Sequence, residues 1–175
     1  LTAASNLATD ETVYLNVIRG KTAALFSAAC EVGGVIAGAS ETEVRALFDY
    51  GDALGIAFQI VDDLLDYGGV SSTIGKNVGD DFREGKLTLP VIRAIAAASE
   101  DERAFWQRTI GRGKQEEGDL DTALELLARH GTLASTRETA LDWAGKAKAA
   151  ILTLPPSDLR DTLHDLADYV VERVA

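Results

Sequence analysis

The chain has 175 residues, 46% of them hydrophobic, which is enough for one domain with a substantial core. Its formal net charge of -11 argues against nucleic acid and against an anionic membrane surface as partners. No apolar run approaches the roughly 20 residues needed to span a bilayer, nothing reads as a signal peptide, and the single cysteine, Cys30, excludes an internal disulfide and fits a reducing, cytoplasmic setting.

The sequence contains no Met and begins Leu1-Thr2-Ala3, so the chain is expected to be the C-terminal part of something longer. Apolar spacing is helical almost throughout. Asp10 is expected to cap a first helix running to about residue 39. Its stripe at period 3.6 holds Tyr14, Val17, Ile18, Leu25, Ala28 and Val32. Ser40 and Glu43 form an S-x-x-E capping box for a second helix reaching Asp66, with Val44, Leu47, Phe48, Leu54, Phe58 and Leu65 on its buried face. Residues 67–79 hold four glycines and read as a loop. Thr88 followed by Pro90 starts another helix, and Ser99 with Glu102 makes a second capping box. A helix over 119–130 closes at Gly131, one over 132–154 stops at Pro155-Pro156, and Ser157 caps the last, which carries Leu159, Leu163, Leu166, Tyr169, Val170 and Val174. The expectation is a single all-α domain.

Chemistry concentrates in residues 55–90, GIAFQIVDDLLDYGGVSSTIGKNVGDDFREGKLTLP. On a helix, Asp62 and Asp66 fall about 40° apart, one turn from each other, and Asp63 is displaced by about 100° from Asp62. Magnesium takes oxygen ligands and keeps several waters, so one or two carboxylates from one face, completed by phosphate oxygens, would suit it. Taken alone, DDLLD is more often a solvated helix end than a set of ligands. Asp62, however, sits at the angular centre of the face bearing Val44, Gly51, Gly55 and Phe58, and a charge on a buried face needs a partner. Lys21 shows the same anomaly with opposite sign, at the centre of the first helix's stripe. It either snorkels from a partly exposed face or aims an ammonium at an anion. Thr22 beside it adds a hydroxyl that loosens the helix by back-bonding. Lys76 follows Gly75 and Lys86 follows Gly85, with Asp81 between them. Glycines permit close approach of backbone to an oxyanion, and lysines bring compact charges to it. Any one of these lysines is an ordinary surface residue; beside the Asp cluster, the set points to a divalent metal and a polyphosphate held together. His130, His164, Trp106, Trp143 and Cys30 read as structural.

DDLLD followed by GKNVGDDFREGKLTLP, preceded by FQ and by a helical GKTAALF, resembles the trans-isoprenyl diphosphate synthases, or polyprenyl synthetases, most nearly the long-chain bacterial octaprenyl and decaprenyl enzymes that make ubiquinone side-chain precursors. The resemblance covers the chain from about Tyr14 onward and is strongest between Lys21 and Pro90. It implies a helical bundle around a deep cavity, usually in a homodimer. It also implies a magnesium-assisted condensation of an allylic diphosphate with isopentenyl diphosphate. On that resemblance Asp62 is a direct metal ligand, with Asp63 and Asp66 close by, acting directly or through water. Lys21, Lys76 and Lys86 hold the allylic diphosphate, and Thr22 and Gln59 steady the carbocation. Asp81, or its neighbour Asp80, is the acidic residue after the Gly-Lys pair. The family carries two facing aspartate-rich motifs, and this chain has only the second, so the 175 residues alone are expected to be inactive. Two other readings fit the same fold: a non-catalytic regulatory or scaffold subunit, and a magnesium-dependent terpene cyclase. The full lysine set and EGKLTLP favour the synthase.

Overall fold

A computed structural model describes residues 7–68 and 78–174. The described residues are mostly helical, with no strand among them. In chain order the helices are α1 (Glu11–Ile18), α2 (Ala24–Ile36), α3 (Glu41–Gly68), α4 (Asp80–Arg83), α5 (Leu89–Ala97), α6 (Glu100–Trp106), α7 (Asp119–Arg129), α8 (Thr132–Ile151) and α9 (Asp158–Glu172). A π turn over Arg19–Ala23 joins α1 to α2, and another over Gln107–Gly111 extends α6. The all-α expectation is met.

Local signals in the sequence place the helix ends. Asp10 Oδ1 accepts from the Val13 N–H at 2.9 Å, satisfying an otherwise orphaned donor of the first turn. Both capping boxes form: the Glu43 carboxylate takes the Ser40 N–H at 2.8 Å, and the Glu102 carboxylate takes the Ser99 N–H at 2.9 Å. Thr88 is the extended residue before α5, with proline in the first turn. The Ser157 hydroxyl accepts from the Arg160 N–H at the start of α9. The eighth helix ends at Ile151, three residues short of the expected 154.

Two compact units are present: Leu1–Tyr14 with Asp62–Thr136, and Leu15–Val61 with Arg137–Ala175. The first packs around Tyr67, Phe82, Val91, Trp106, Ile110 and Leu127, all buried. Trp106 meets Phe82 and Phe105 edge-on, with centroids 6.4 and 5.1 Å away. In the second, α3 is held to the π turn and α2 at very short range. A Cβ on Gly51 would lie 2.6 Å from the Phe26 carbonyl oxygen, and one on Gly55 would lie 2.6 Å from the Ala23 Cα. Only glycine permits that approach. The Tyr50 hydroxyl donates to the Leu163 carbonyl at 2.7 Å, tying α3 to α9.

The stripe expected for the first helix is corrected. Tyr14 and Ile18 are buried, but Val17, Leu25 and Val32 are 50%, 77% and 53% exposed, and Ala28 is exposed too. The buried positions are instead Tyr14, Ile18, Ala23, Ser27 and Gly34. The step from Ile18 to Ala23 is five residues, the register of the π turn between them. One extra residue rotates everything beyond it by about 100°. On α9 the buried side chains are Ala167, Val170 and Val171, whereas Leu159, Leu166 and Tyr169 are exposed. On α3, Leu54 is buried and Val44, Leu47, Phe48, Phe58 and Leu65 are half-buried.

Candidate functional site

The aspartates of DDLLD occupy the last turns of α3, in the first unit. Burial falls on Asp63, 5% exposed, rather than on Asp62, which is half-buried. The reason is that α3 is enclosed on several sides around residues 60–64, so a single-face projection does not pick out its interior. The buried carboxylate is met by α1: the Tyr14 hydroxyl donates to Asp63 Oδ2 at 2.7 Å. Tyr14 is itself buried, and burial first, then the Asp63 carboxylate, pushes its hydroxyl well above the ordinary tyrosine value. It therefore stays protonated and remains a donor.

Asp66 has a different task. Its two carboxylate oxygens accept the backbone N–H groups of Asp80 at 3.1 Å and Asp81 at 3.0 Å, and its own carbonyl accepts the Gly79 N–H at 2.8 Å. These amides open α4, the short helix that the sequence did not announce. The residue before α4 is Gly79, which has no side chain to cap with, so a carboxylate from another helix does the capping. Gly79 sits at φ 84°, and a Cβ there would meet Leu120 at 2.4 Å, so both backbone and space select glycine. Burial raises the Asp66 carboxyl above the usual range, opposed by the two amides and reinforced by the Asp81 and Asp80 charges.

The turn so anchored presents Asp81 and Lys86. The Lys86 ammonium donates to Asp81 Oδ1 at 2.7 Å and lies 2.8 Å from Glu84. Asp81 first, with Glu84, holds Lys86 above the ordinary ammonium value. Asp80 pairs with Arg83 at 2.9 Å, whereas Asp81 is the one that meets Lys86. Tyr67, also buried, accepts from the Thr88 hydroxyl at 3.4 Å, and its own hydroxyl is raised by burial first and further by the charges of Asp81, Asp66 and Asp63. The first unit thus gathers Asp63, Asp66, Asp81 and Lys86 with two buried tyrosines. Asp62 lies beside them on α3. Lys76 lies outside the described residues.

In the second unit, the Thr22 hydroxyl donates to Gln59 Oε1 at 2.8 Å, joining two residues 37 positions apart. Thr22 is inside the π turn, where the backbone has lost its regular i→i+4 ladder. Lys21, on the same turn, is exposed rather than at the centre of a buried stripe, a second consequence of the π register. Arg19 completes the turn's polar contacts through a 3.0 Å ion pair with Asp52 and a stacking contact on Trp143 at 5.7 Å.

Among the described residues, no three His, Cys, Asp or Glu side chains converge into a ready metal cage. The available ligands are carboxylate oxygens strung along one helix and one turn. Tyr14 is buried, as its place in the apolar stripe implies, and in addition carries a polar contact that the stripe does not reveal. Its partner is 49 positions away, and the one local hint was a hydroxyl on an otherwise aliphatic face.

The polyprenyl synthetase family pattern matches residues 1–127. The chain is 40% identical over 165 residues to the octaprenyl diphosphate synthase of Haemophilus influenzae, covering 94% of this chain and 50% of that protein. Among solved structures, a decaprenyl diphosphate synthase from Rhodobacter capsulatus matches with a TM-score of 0.94 and 67% identity, over 99% of this chain and 54% of that one. A polyprenyl synthase from Caulobacter crescentus CB15, complexed with calcium and isoprenyl diphosphate, matches with a TM-score of 0.93 and 49% identity, over 99% and 53%. The chain spans about half the length of the curated relatives it matches. With a matched pattern over most of its length and helices that superpose on those of its relatives, this chain belongs to the polyprenyl synthetase family.

Proposed function

We propose that the gene product containing this chain is a trans-prenyltransferase that condenses an allylic diphosphate with isopentenyl diphosphate in isoprenoid biosynthesis, including ubiquinone side-chain precursors, and that it works as a cytoplasmic homodimer. The observation that carries the proposal is the Asp66 clamp. One carboxylate of DDLLD caps the turn that delivers Asp81 and Lys86, so the aspartate string and the glycine-lysine segment act as one device. A solvated helix end would have no need for that arrangement.

The donors fit magnesium. They are all oxygen, and one or two carboxylates leave positions for water and phosphate, which is this ion's habit. The carboxyl of Asp66, pressed by burial and by the neighbouring Asp81 and Asp80 charges, is the kind of group a cation relieves. Asp62, Asp63, Asp66 and Asp81 are the residues that would hold it, directly or through water. When bound, magnesium supplies positive charge against the negative charge that builds on departing diphosphate.

In the reaction the allylic C–O bond breaks and the diphosphate leaves with the electron pair. The double bond of isopentenyl diphosphate then forms the new C–C bond to the allylic carbon, and a proton is lost to restore an alkene. Lys21, Lys76 and Lys86 hold the allylic diphosphate. For Lys86 this means exchanging the exposed Glu84 contact for a phosphate oxygen while keeping Asp81. Thr22 and Gln59 steady the cation. With the Thr22 proton committed to Gln59, the hydroxyl oxygen has lone pairs left to face positive charge. An apolar interior keeps water from the cation.

The 175 residues contain one DDxxD segment. We take the opposing carboxylates to come from chain outside these residues. Prenyl transfer from an allylic diphosphate to labelled isopentenyl diphosphate, run on the full-length gene product with and without magnesium, tests the proposal. Metal-dependent chain elongation is the expected result. A folded full-length protein that elongates nothing would favour the scaffold reading, and cyclised product without elongation would favour a terpene cyclase.

A further inference from the structure

We propose that Tyr14 is a positioning residue for the metal-binding carboxylates: its hydroxyl, delivered from α1, fixes the orientation of the Asp63 carboxylate and so sets how well the DDLLD string holds a divalent ion. The inference rests on the reading of the site given above and adds a residue from outside the aspartate-rich and lysine-bearing segments.

The geometry is specific. The Tyr14–Asp63 bond is 2.7 Å long, both residues are 5% exposed, and they lie 49 positions apart. A charge-assisted bond in a buried setting constrains a carboxylate far more than one in water. The donor is itself held. One turn before Tyr14, Glu11 takes two guanidinium bonds of 2.9 Å from Arg93 of α5, and Arg93 also donates to Ser135. Asp10 caps the same turn. Four residues beyond Tyr14, Ile18 is buried and the π turn begins. The stretch of α1 bearing the hydroxyl is therefore anchored at both ends. A tyrosine that only filled space would not need its oxygen on a carboxylate, and phenylalanine would pack as well without leaving a buried hydroxyl to satisfy. Groups that orient metal ligands in this way are worth about 10–100-fold in metal affinity.

The test uses the full-length gene product with Mn2+ as a spectroscopic stand-in for magnesium, in the presence of inorganic diphosphate. Tyr14→Phe keeps the ring and removes the donor. Mn2+ affinity, read by electron paramagnetic resonance, is expected to fall about 10-fold in this variant. Tyr50→Phe removes a buried hydroxyl that donates to the Leu163 carbonyl instead, and is expected to leave the affinity within about twofold of wild type. In an Asp63→Asn background the effect of Tyr14→Phe should disappear, because the hydroxyl acts through that carboxylate. The rise in melting temperature produced by Mn2+ and diphosphate gives the same comparison for a variant of lower baseline stability. Tyr14→Phe with wild-type affinity, or with an equal loss in the Asp63→Asn background, would overturn the inference. A wild-type protein without Mn2+ affinity would sink the site reading itself, and the inference with it.

Discussion

At the scale of single residues, the three aspartates of DDLLD do three different things. Asp63 is buried and held by Tyr14, Asp66 caps α4 across the turn, and Asp62 lies half-buried beside them. Their substitutions should therefore separate. Asp62→Ala in the full-length protein is expected to cut prenyl transfer by at least about 100-fold, on the scale of removing a metal or oxyanion contact, with unchanged far-UV circular dichroism. Near-normal turnover would remove Asp62 from the metal site. Asp66→Asn keeps one acceptor but turns the second oxygen into a donor facing an amide, so it should lower both turnover and stability, the latter by about 1–3 kcal/mol for a buried donor left unpaired. A variant with normal melting and low activity would show that capping is not the main task of Asp66. Lys76→Ala should weaken allylic diphosphate affinity, measured by calorimetry, and unchanged affinity would take Lys76 out of the site. Residue types and spacing made this cluster legible from the sequence. They did not reveal which aspartate is buried, since that depends on α1 arriving from 49 positions away.

At the scale of elements, what was legible was whatever four consecutive residues encode. Ser40 with Glu43, Ser99 with Glu102, Ser157 and Gly131 all mark helix ends in the structure where they were read in the sequence, because capping is a contact between near neighbours. What failed was phase. A period-3.6 stripe assumes an unbroken ladder, and the π turn at Arg19–Ala23 inserts one residue, turning Leu25 outward while burying Ala23. The short helix α4 escaped notice because its cap comes from Asp66, 14 positions upstream of the helix it closes. Gly55→Ala would push the α3 backbone away from Ala23 and should destabilise the protein by about 1–3 kcal/mol, and a melting temperature equal to wild type would contradict the close packing. Glu102 is held down to about 2, first by the Ser99 N–H and then by His130 and Arg129. A depressed carboxyl contributes stability that is present above its unfolded value and is lost as pH falls through the folded one. Acid unfolding followed by circular dichroism should thus show a contribution disappearing between about pH 4.5 and pH 2 that Glu102→Gln lacks. Identical acid profiles for the two proteins would refute it.

At the scale of the whole molecule, the chain spans about half the length of the relatives it matches and contains one DDxxD segment, where the proposed reaction calls for two facing ones. It also exposes large apolar side chains on α2, with Leu25, Val35 and Ile36 at 77%, 61% and 82%, and on α9, with Leu159 and Tyr169 at 70% and 63%. Scattered exposed leucines are ordinary, but groups of them along a helix favour association. The 175-residue chain is therefore expected to self-associate in light scattering and to show no prenyl transfer. A monodisperse monomer, or measurable magnesium-dependent turnover by these residues alone, would contradict this. No helix among the described residues is long and apolar enough to cross a membrane, and the overall charge of -11 means that an anionic substrate must be drawn in by local cations and metal rather than by the field of the protein.

The proposed function requires the carboxylates of α3 and the turn they anchor to hold a metal and a diphosphate together. Calorimetric titration of inorganic diphosphate into the full-length protein, with and without magnesium, probes that requirement. Binding that requires magnesium and is lost in Asp62→Ala is the predicted result. Binding of equal strength without the metal, or unaffected by the substitution, would contradict it.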